Sequence, residues 1–241
     1  MSASIWGKIG GAGLGLAMGG PLSALLGAFA GHVLVDREGA FFGPAPRDVV
    51  FTTGLIALSA KMAKADGVVL RSEVEAFERI VEVPAEEHPN VVRLFDLAKS
   101  TTLGFEAYAR QVADALDDEP MLREDVVEGL FGIAAADGAV HEAEFAYIRS
   151  VAEILGLQGA AFDRIAARHV VRPDDPYLAL GAAPGLSDAA LKAHYRALVA
   201  EIHPDREIAR GLPPEAIRIA TQRLAAVNAA WDRIALERGL S

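Results

Sequence analysis

Cysteine is absent from the 241 residues, which excludes a disulfide framework and any thiolate metal site. Positive charge is scarce. The 23 Lys and Arg face 33 Asp and Glu, a formal net charge of -10 at pH 7. Electrostatic capture of nucleic-acid phosphates is therefore not a property of the whole chain. No stretch alternates apolar and polar residues as a half-buried strand does, so the pattern predicts an all-α fold. A nucleophile with its base, a glycine-rich phosphate loop and a complete metal constellation are also missing, which argues against an enzyme. Charge of either sign is absent from Ile9 to Val35.

That uncharged run holds 27 residues, roughly 40 Å as a helix against the ~30 Å apolar core of a bilayer. A tilted single-pass transmembrane helix fits, although glycine is frequent in it. Gly7, Gly11, Gly15, Gly19, Ser23, Gly27 and Gly31 recur at every fourth position. In lipid the backbone must satisfy its own hydrogen bonds, so helix forms despite the glycines. The small residues leave a groove that another helix can approach backbone to backbone, the small-xxx-small device of membrane packing. The stripe predicts self-association, as a homodimer through the span. A cleavable signal peptide is a competing reading, with Lys8 before the run and Ala28-Phe29-Ala30 as a cleavage site. A re-entrant hairpin split at Pro21 is another. Length favours the anchor. Lys8 before the span against Arg37 and Arg47 after it gives a slight bias for a cytoplasmic C-terminal side.

Acidity is concentrated behind the anchor. Between Asp36 and Val171 there are 13 Lys and Arg against 24 Asp and Glu, whereas the chain from Arg172 onward is balanced. This middle region contains a repeat. "KADGVVLRSEVEAFERI" and "AADGAVHEAEFAYIRSV" align without a gap. Each copy follows an apolar helical run and precedes an amphipathic one, the pattern of a helix–turn–helix that buries its face against its twin. "NVVRLFDLAKS" and "FEAYARQVADAL" read as further helices between the copies. Phe77, Phe105, Phe131 and Phe145 are core positions.

The Asp-Gly spacing also matches the second half of a calcium-binding helix–loop–helix, with Asp66 and Glu73 in one copy and Asp137 and Glu144 in the other. The positions that should carry the first carboxylates hold Met62 and Lys64, and Ile133 and Ala135. A turn made by Asp-Gly, with the Glu capping the following helix, is the simpler account. A divalent-cation site shared by Asp66, Glu73, Asp137 and Glu144 is the alternative, and needs both loops at one end of the bundle.

The last third has a different plan. Ser187 is a helix N-cap, and Leu191, Tyr195, Leu198 and Ile202 form an apolar stripe at helical spacing. Lys192 and Arg196 put positive charge on another face. Pro204 ends this helix, because the residue before a proline is pushed out of the α region. A last helix starts near Pro214, with Ile217, Leu224, Val227, Trp231 and Ile234 on its apolar face. The two would form an antiparallel hairpin. At the corner stands His203-Pro204-Asp205.

Three resemblances follow from these residues. The paired "ADG-x-V-x-x-x-E" turns resemble the TerB-like domain of tellurite-resistance proteins, over residues 47–171. That resemblance implies an all-helical, acidic, stress-associated module that binds a metal; within a co-chaperone, such a module would select clients or sense an ion. The segment at 174–241, with "PYLALG" before the basic helix, HPD at the corner and "LAAVNAAWDRI" after it, resembles the J domain of DnaJ-type co-chaperones. This implies docking on a DnaK-type chaperone and stimulation of its ATPase. His203, Pro204 and Asp205 would be the essential signal, the aspartate meeting an arginine of the ATPase domain. Lys192, Arg196 and Arg206 would steer the docking. Glu201 departs from the family, which often has a positive residue there, and the loop "REIARGLPP" is long. With the anchor at 1–36, the whole order resembles the DjlA-type J proteins of Gram-negative bacteria. The expected location is the bacterial inner membrane, single-pass, with the C-terminal domains in the cytoplasm. The competing function is a stress-related metal-binding TerB-like protein whose J domain is auxiliary or degenerate.

Overall fold

The computed structural model describes residues 22, 47–65, 77, 80–81, 92, 95–96, 98, 104–170 and 176–240. These residues hold no strand, so the fold is all-α. The first complete helix, α1 (Arg47–Ala65), is apolar on every side. Such a helix must sit inside other helices, and every residue from Val49 to Ala63 is buried. Two of its three buried hydroxyls, those of Thr52 and Ser59, reach carbonyls of the helix itself. Thr52 Oγ1 lies 3.0 Å from the Asp48 carbonyl oxygen, and Ser59 Oγ donates to that of Leu55 at 2.7 Å.

Around α1 pack α2 (Phe105–Ala115), α3 (Pro120–Ala134) and α4 (Glu142–Ile154). Gly54 lets α2 come close, since a Cβ there would stand 2.5 Å from Val112 Cγ2. Helix α5 (Ala160–His169) closes the bundle against α3. Phe131 lies 6.0 Å from Phe145 and 5.9 Å from Phe162 between ring centroids, in tilted contacts. Phe77 and Phe131 are buried, while Phe105 and Phe145 are half-buried and packed on the same core. The expected core positions hold. Of the helix expected at "NVVRLFDLAKS", the described residues Val92, Phe95, Asp96 and Ala98 are helical.

The second Asp-Gly turn forms as the sequence suggests. A 3-10 turn, Ala135–Asp137, runs into Gly138 with φ of 104°, the left-handed conformation that glycine adopts without a Cβ penalty. The first copy, from Asp66 through Glu73, lies outside the described residues. So does the anchor, except Leu22, which is helical and buried and donates its N–H to Gln111 Oε1 at 2.7 Å.

The C-terminal unit begins with α6 (Pro176–Leu180), then α7 (Asp188–Ile202), α8 (Pro204–Ala209) and α9 (Pro214–Arg238). Helices α7 and α9 enclose a small second core of Leu180, Leu191, Ile202, Val227, Ala230 and Ile234. Tyr195 and Trp231 stack across it, 4.4 Å between centroids and 9° from parallel. The expected apolar face of α9 is confirmed at Leu224, Val227, Trp231 and Ile234, but Ile217 joins neither core. Instead Ala216 and Ile219 belong to the first core. The first half of α9 lies on the bundle and its second half on α7.

Candidate functional site

Chain chemistry builds the α7–α8 corner. Ser187 Oγ accepts the Ala190 N–H at 3.3 Å and starts α7, as an N-cap should. The helix runs to Ile202 and stops at His203, whose ψ of 130° is extended. Pro204 imposes that break and then serves as the first residue of α8, where its missing N–H is no loss. The stop is the one the sequence predicts, but the long loop "REIARGLPP" is helical over its first four residues, as part of Pro204–Ala209.

His203 caps the new helix. Its Nδ1 accepts the Asp205 N–H at 3.3 Å, so the neutral ring carries its proton on Nε2. Asp205 Oδ2 lies 3.5 Å from the same nitrogen, and the two side chains are 44% and 81% exposed. Arg206 turns back, its Nη1 donating to the Glu201 carbonyl at 3.4 Å. A cation on the last carbonyls of α7 also suits the helix dipole. Arg196 and Arg206 are exposed and Lys192 is half-buried. Thus the corner presents an imidazole, a carboxylate and a guanidinium group within four residues, His203, Asp205 and Arg206.

The TerB-like acidic residues behave differently. Glu144 is buried and accepts the His141 N–H at 2.9 Å, three residues before it in the helix start. Asp66, Glu73 and the Asp137 side chain lie outside the described residues. Among the described residues no group of three His, Asp or Glu is placed to hold a metal ion.

Residues 1–57 match the Co-chaperone DjlA transmembrane domain, and residues 52–167 match the Tellurite resistance protein TerB family. The Co-chaperone protein DjlA of Photobacterium profundum is 28% identical, over 98% of this chain and 99% of the relative. Those of Coxiella burnetii and Escherichia coli K12 are each 25% identical, over 97% of this chain and 98% of the relative. These matches support a DjlA-type co-chaperone. No solved structure matches it. As in that family, it is a co-chaperone anchored in the membrane, with a TerB domain behind the transmembrane domain. No helix among the described residues is long and apolar enough to cross a bilayer. Most of the DjlA-type transmembrane match, all but Leu22 and residues 47–57, falls outside them.

What sequence reasoning missed in this DjlA-type chain is the seam between its two folded parts. Arg223 Nη1 donates to Asp125 Oδ1 at 2.7 Å, with both side chains fully buried. Burial pushes the Asp125 carboxyl up to about 8 against the pull of Arg223. Burial also raises Glu207 and Glu215, the latter opposed by its bond from Thr52 Oγ1. Burial acts on Glu128 in the same sense, yet His169 and Arg168, both bound to it, hold it below its usual range. A signal was present. Ala216, Ile219, Ala220, Arg223, Val227, Ala230 and Ile234 are a buried stripe at helical spacing, and its alanines mark close helix packing.

Proposed function

We propose that the chain docks on a DnaK-type chaperone and stimulates its ATPase through His203, Pro204 and Asp205. Lys192, Arg196 and Arg206 steer the encounter toward an acidic chaperone surface. One observation carries the reading. The HPD tripeptide forms a sharp, self-capped corner between α7 and α8 with His203 and Asp205 open to solvent. Three parts divide the work: an anchor at 1–36, a TerB-like domain at 47–171 that binds clients or senses an ion, and a J domain at 174–241. The anchor places the folded parts on the cytoplasmic face of the inner membrane, where ATP and DnaK-type chaperones reside. The glycine stripe pairs two copies there. No part of this scheme calls for an enzyme activity of the chain itself.

The test is single-turnover ATP hydrolysis by a bacterial DnaK-type chaperone, with the full chain in nanodiscs. Stimulation by the natural chain that disappears with His203→Gln is the expected result. Equal rates with and without the natural chain would overturn the reading and turn attention to the TerB-like domain.

A further inference from the structure

Glu207 follows the HPD corner by two residues, yet its side chain is 3% exposed. Beyond it, the segment is fixed to the TerB-like domain at successive points. Arg210 reaches Glu119, which ends the α2–α3 turn 91 residues earlier in the chain, and lies 3.6 Å from Glu207. Glu119 is itself nearly buried and is held from its other side by Arg47 Nη1 at 2.6 Å. Arg47 also binds Asp118. Leu212 then packs on the first core, and Glu215 accepts the Thr52 hydroxyl of α1.

The end of α8 is shaped for this reach. Gly211 has φ of 69°, its N–H donates to the Ile208 carbonyl at 3.0 Å, and the Leu212 N–H donates to that of Glu207 at 3.1 Å. This glycine-terminated helix end reverses the chain within two residues. By contrast, among the described residues the side-chain polar contacts of His203, Asp205 and Arg206 stay within the α7–α8 corner. One end of the six-residue α8 is therefore clamped, while the other end displays the signal.

We propose that the TerB-like domain positions the HPD corner: Arg210, gripped by Glu119, fixes α8 so that His203 and Asp205 meet the chaperone already in place. This rests on the reading of the HPD corner given above. The clamp leaves His203 and Asp205 exposed, so it orders the signal and does not mask it. Holding a loop in its binding conformation beforehand spares that ordering at the moment of docking. The effect belongs in the concentration needed for docking and not in the rate once docked. Arg210 and Glu119 are positioning residues, acting through α8.

The experiment compares the full natural chain in nanodiscs with Arg210→Ala, Arg210→Lys, Glu119→Gln and His203→Gln. Each is titrated into single-turnover hydrolysis by a DnaK-type chaperone. Arg210→Ala and Glu119→Gln are expected to raise the half-maximal concentration roughly fivefold, the scale of one good ion pair, with an unchanged maximum. Arg210→Lys should recover most of the loss. Amide exchange of residues 206–212 should quicken in Arg210→Ala while α3 and α4 keep their protection. Stimulation that needs His203 but has the same half-maximum in every clamp variant overturns the proposal, as does a gain in Arg210→Ala. A natural chain that fails to stimulate condemns the HPD reading instead. Amide exchange then still tests the clamp, because unchanged exchange in Arg210→Ala would refute it.

Discussion

Asp125 of α3 and Arg223 of α9 meet at 2.7 Å with no solvent on either side chain. The two ends of this contact are not equivalent. A carboxyl can take up a proton when its partner is removed, whereas a guanidinium cannot give one away. Arg223→Met should therefore be tolerated better than Asp125→Leu, which leaves a buried cation without its acceptor. Asp125→Leu is expected to cost about 3–5 kcal/mol, Arg223→Met less, and the double variant less than the sum. Chemical denaturation of the three variants checks the order. Equal costs for both single changes would contradict it.

Gly54 is a packing residue. A methyl group there would meet Val112 Cγ2 at 2.5 Å, and Val112 is a fully buried, β-branched neighbour with little room to turn. Alanine gains about 1 kcal/mol of helix propensity at such a site, but overpacking costs typically 1–3 kcal/mol. Gly54→Ala is expected to destabilise the bundle by up to about 2 kcal/mol on balance. Restoration by Val112→Ala in the same chain would locate the clash.

Stability should fall as pH rises through neutrality. Burial raises Asp125 from 3.8 to about 8. Between those values the folded chain keeps a proton that the unfolded chain has lost, so each step upward in pH favours unfolding. Glu207 and Glu215, raised by burial too, act in the same direction from their ordinary value upward. Glu128 acts oppositely. Its folded carboxyl lies below its ordinary value, so its contribution is lost only as pH falls below the carboxylate range. The midpoint of thermal unfolding should be highest near pH 5, drop by roughly 5 °C or more toward pH 8, and level off above. Asp125→Asn should flatten most of that slope. A natural chain whose midpoint climbs from pH 5 to 8 would refute the account.

The glycine stripe makes a prediction of its own. Gly15→Leu with Gly19→Leu fills the groove without losing apolarity, so insertion should persist while self-association weakens by about tenfold or more. Crosslinking of the full chain in micelles would show it. Undiminished crosslinking would mean that the stripe is not the contact.

How much of this could be read from sequence depended on the range of the interaction. Helix limits set by neighbours in the chain were legible: Ser187 as cap, Pro204 as stop, Gly138 in the left-handed turn. The stripe of Leu191, Tyr195, Leu198 and Ile202 was legible for the same reason, since helical spacing is a local property. The seam was not. Asp125 and Arg223 are 98 residues apart, and each alone looks like an ordinary surface charge. Short α8 was hidden because Pro204 signals an end more loudly than a beginning. Glu119 was unreadable as an anchor because its two arginines arrive from opposite ends of the described chain.

Glu144 supports the capping reading of the acidic repeat. Its carboxylate is already engaged by the His141 N–H at 2.9 Å, which is what a helix-capping glutamate does. A cation at the same oxygens would have to displace that bond, and the neighbouring Ile133 and Ala135 supply no carboxylate to compensate. Glu144→Ala is therefore expected to cost about 1 kcal/mol through the lost cap, equally with and without millimolar calcium or magnesium. Titration calorimetry of the natural chain with either ion should give only dilution heat. Saturable binding that Glu144→Ala removes would instead establish the shared cation site and make ion sensing the task of the TerB-like domain.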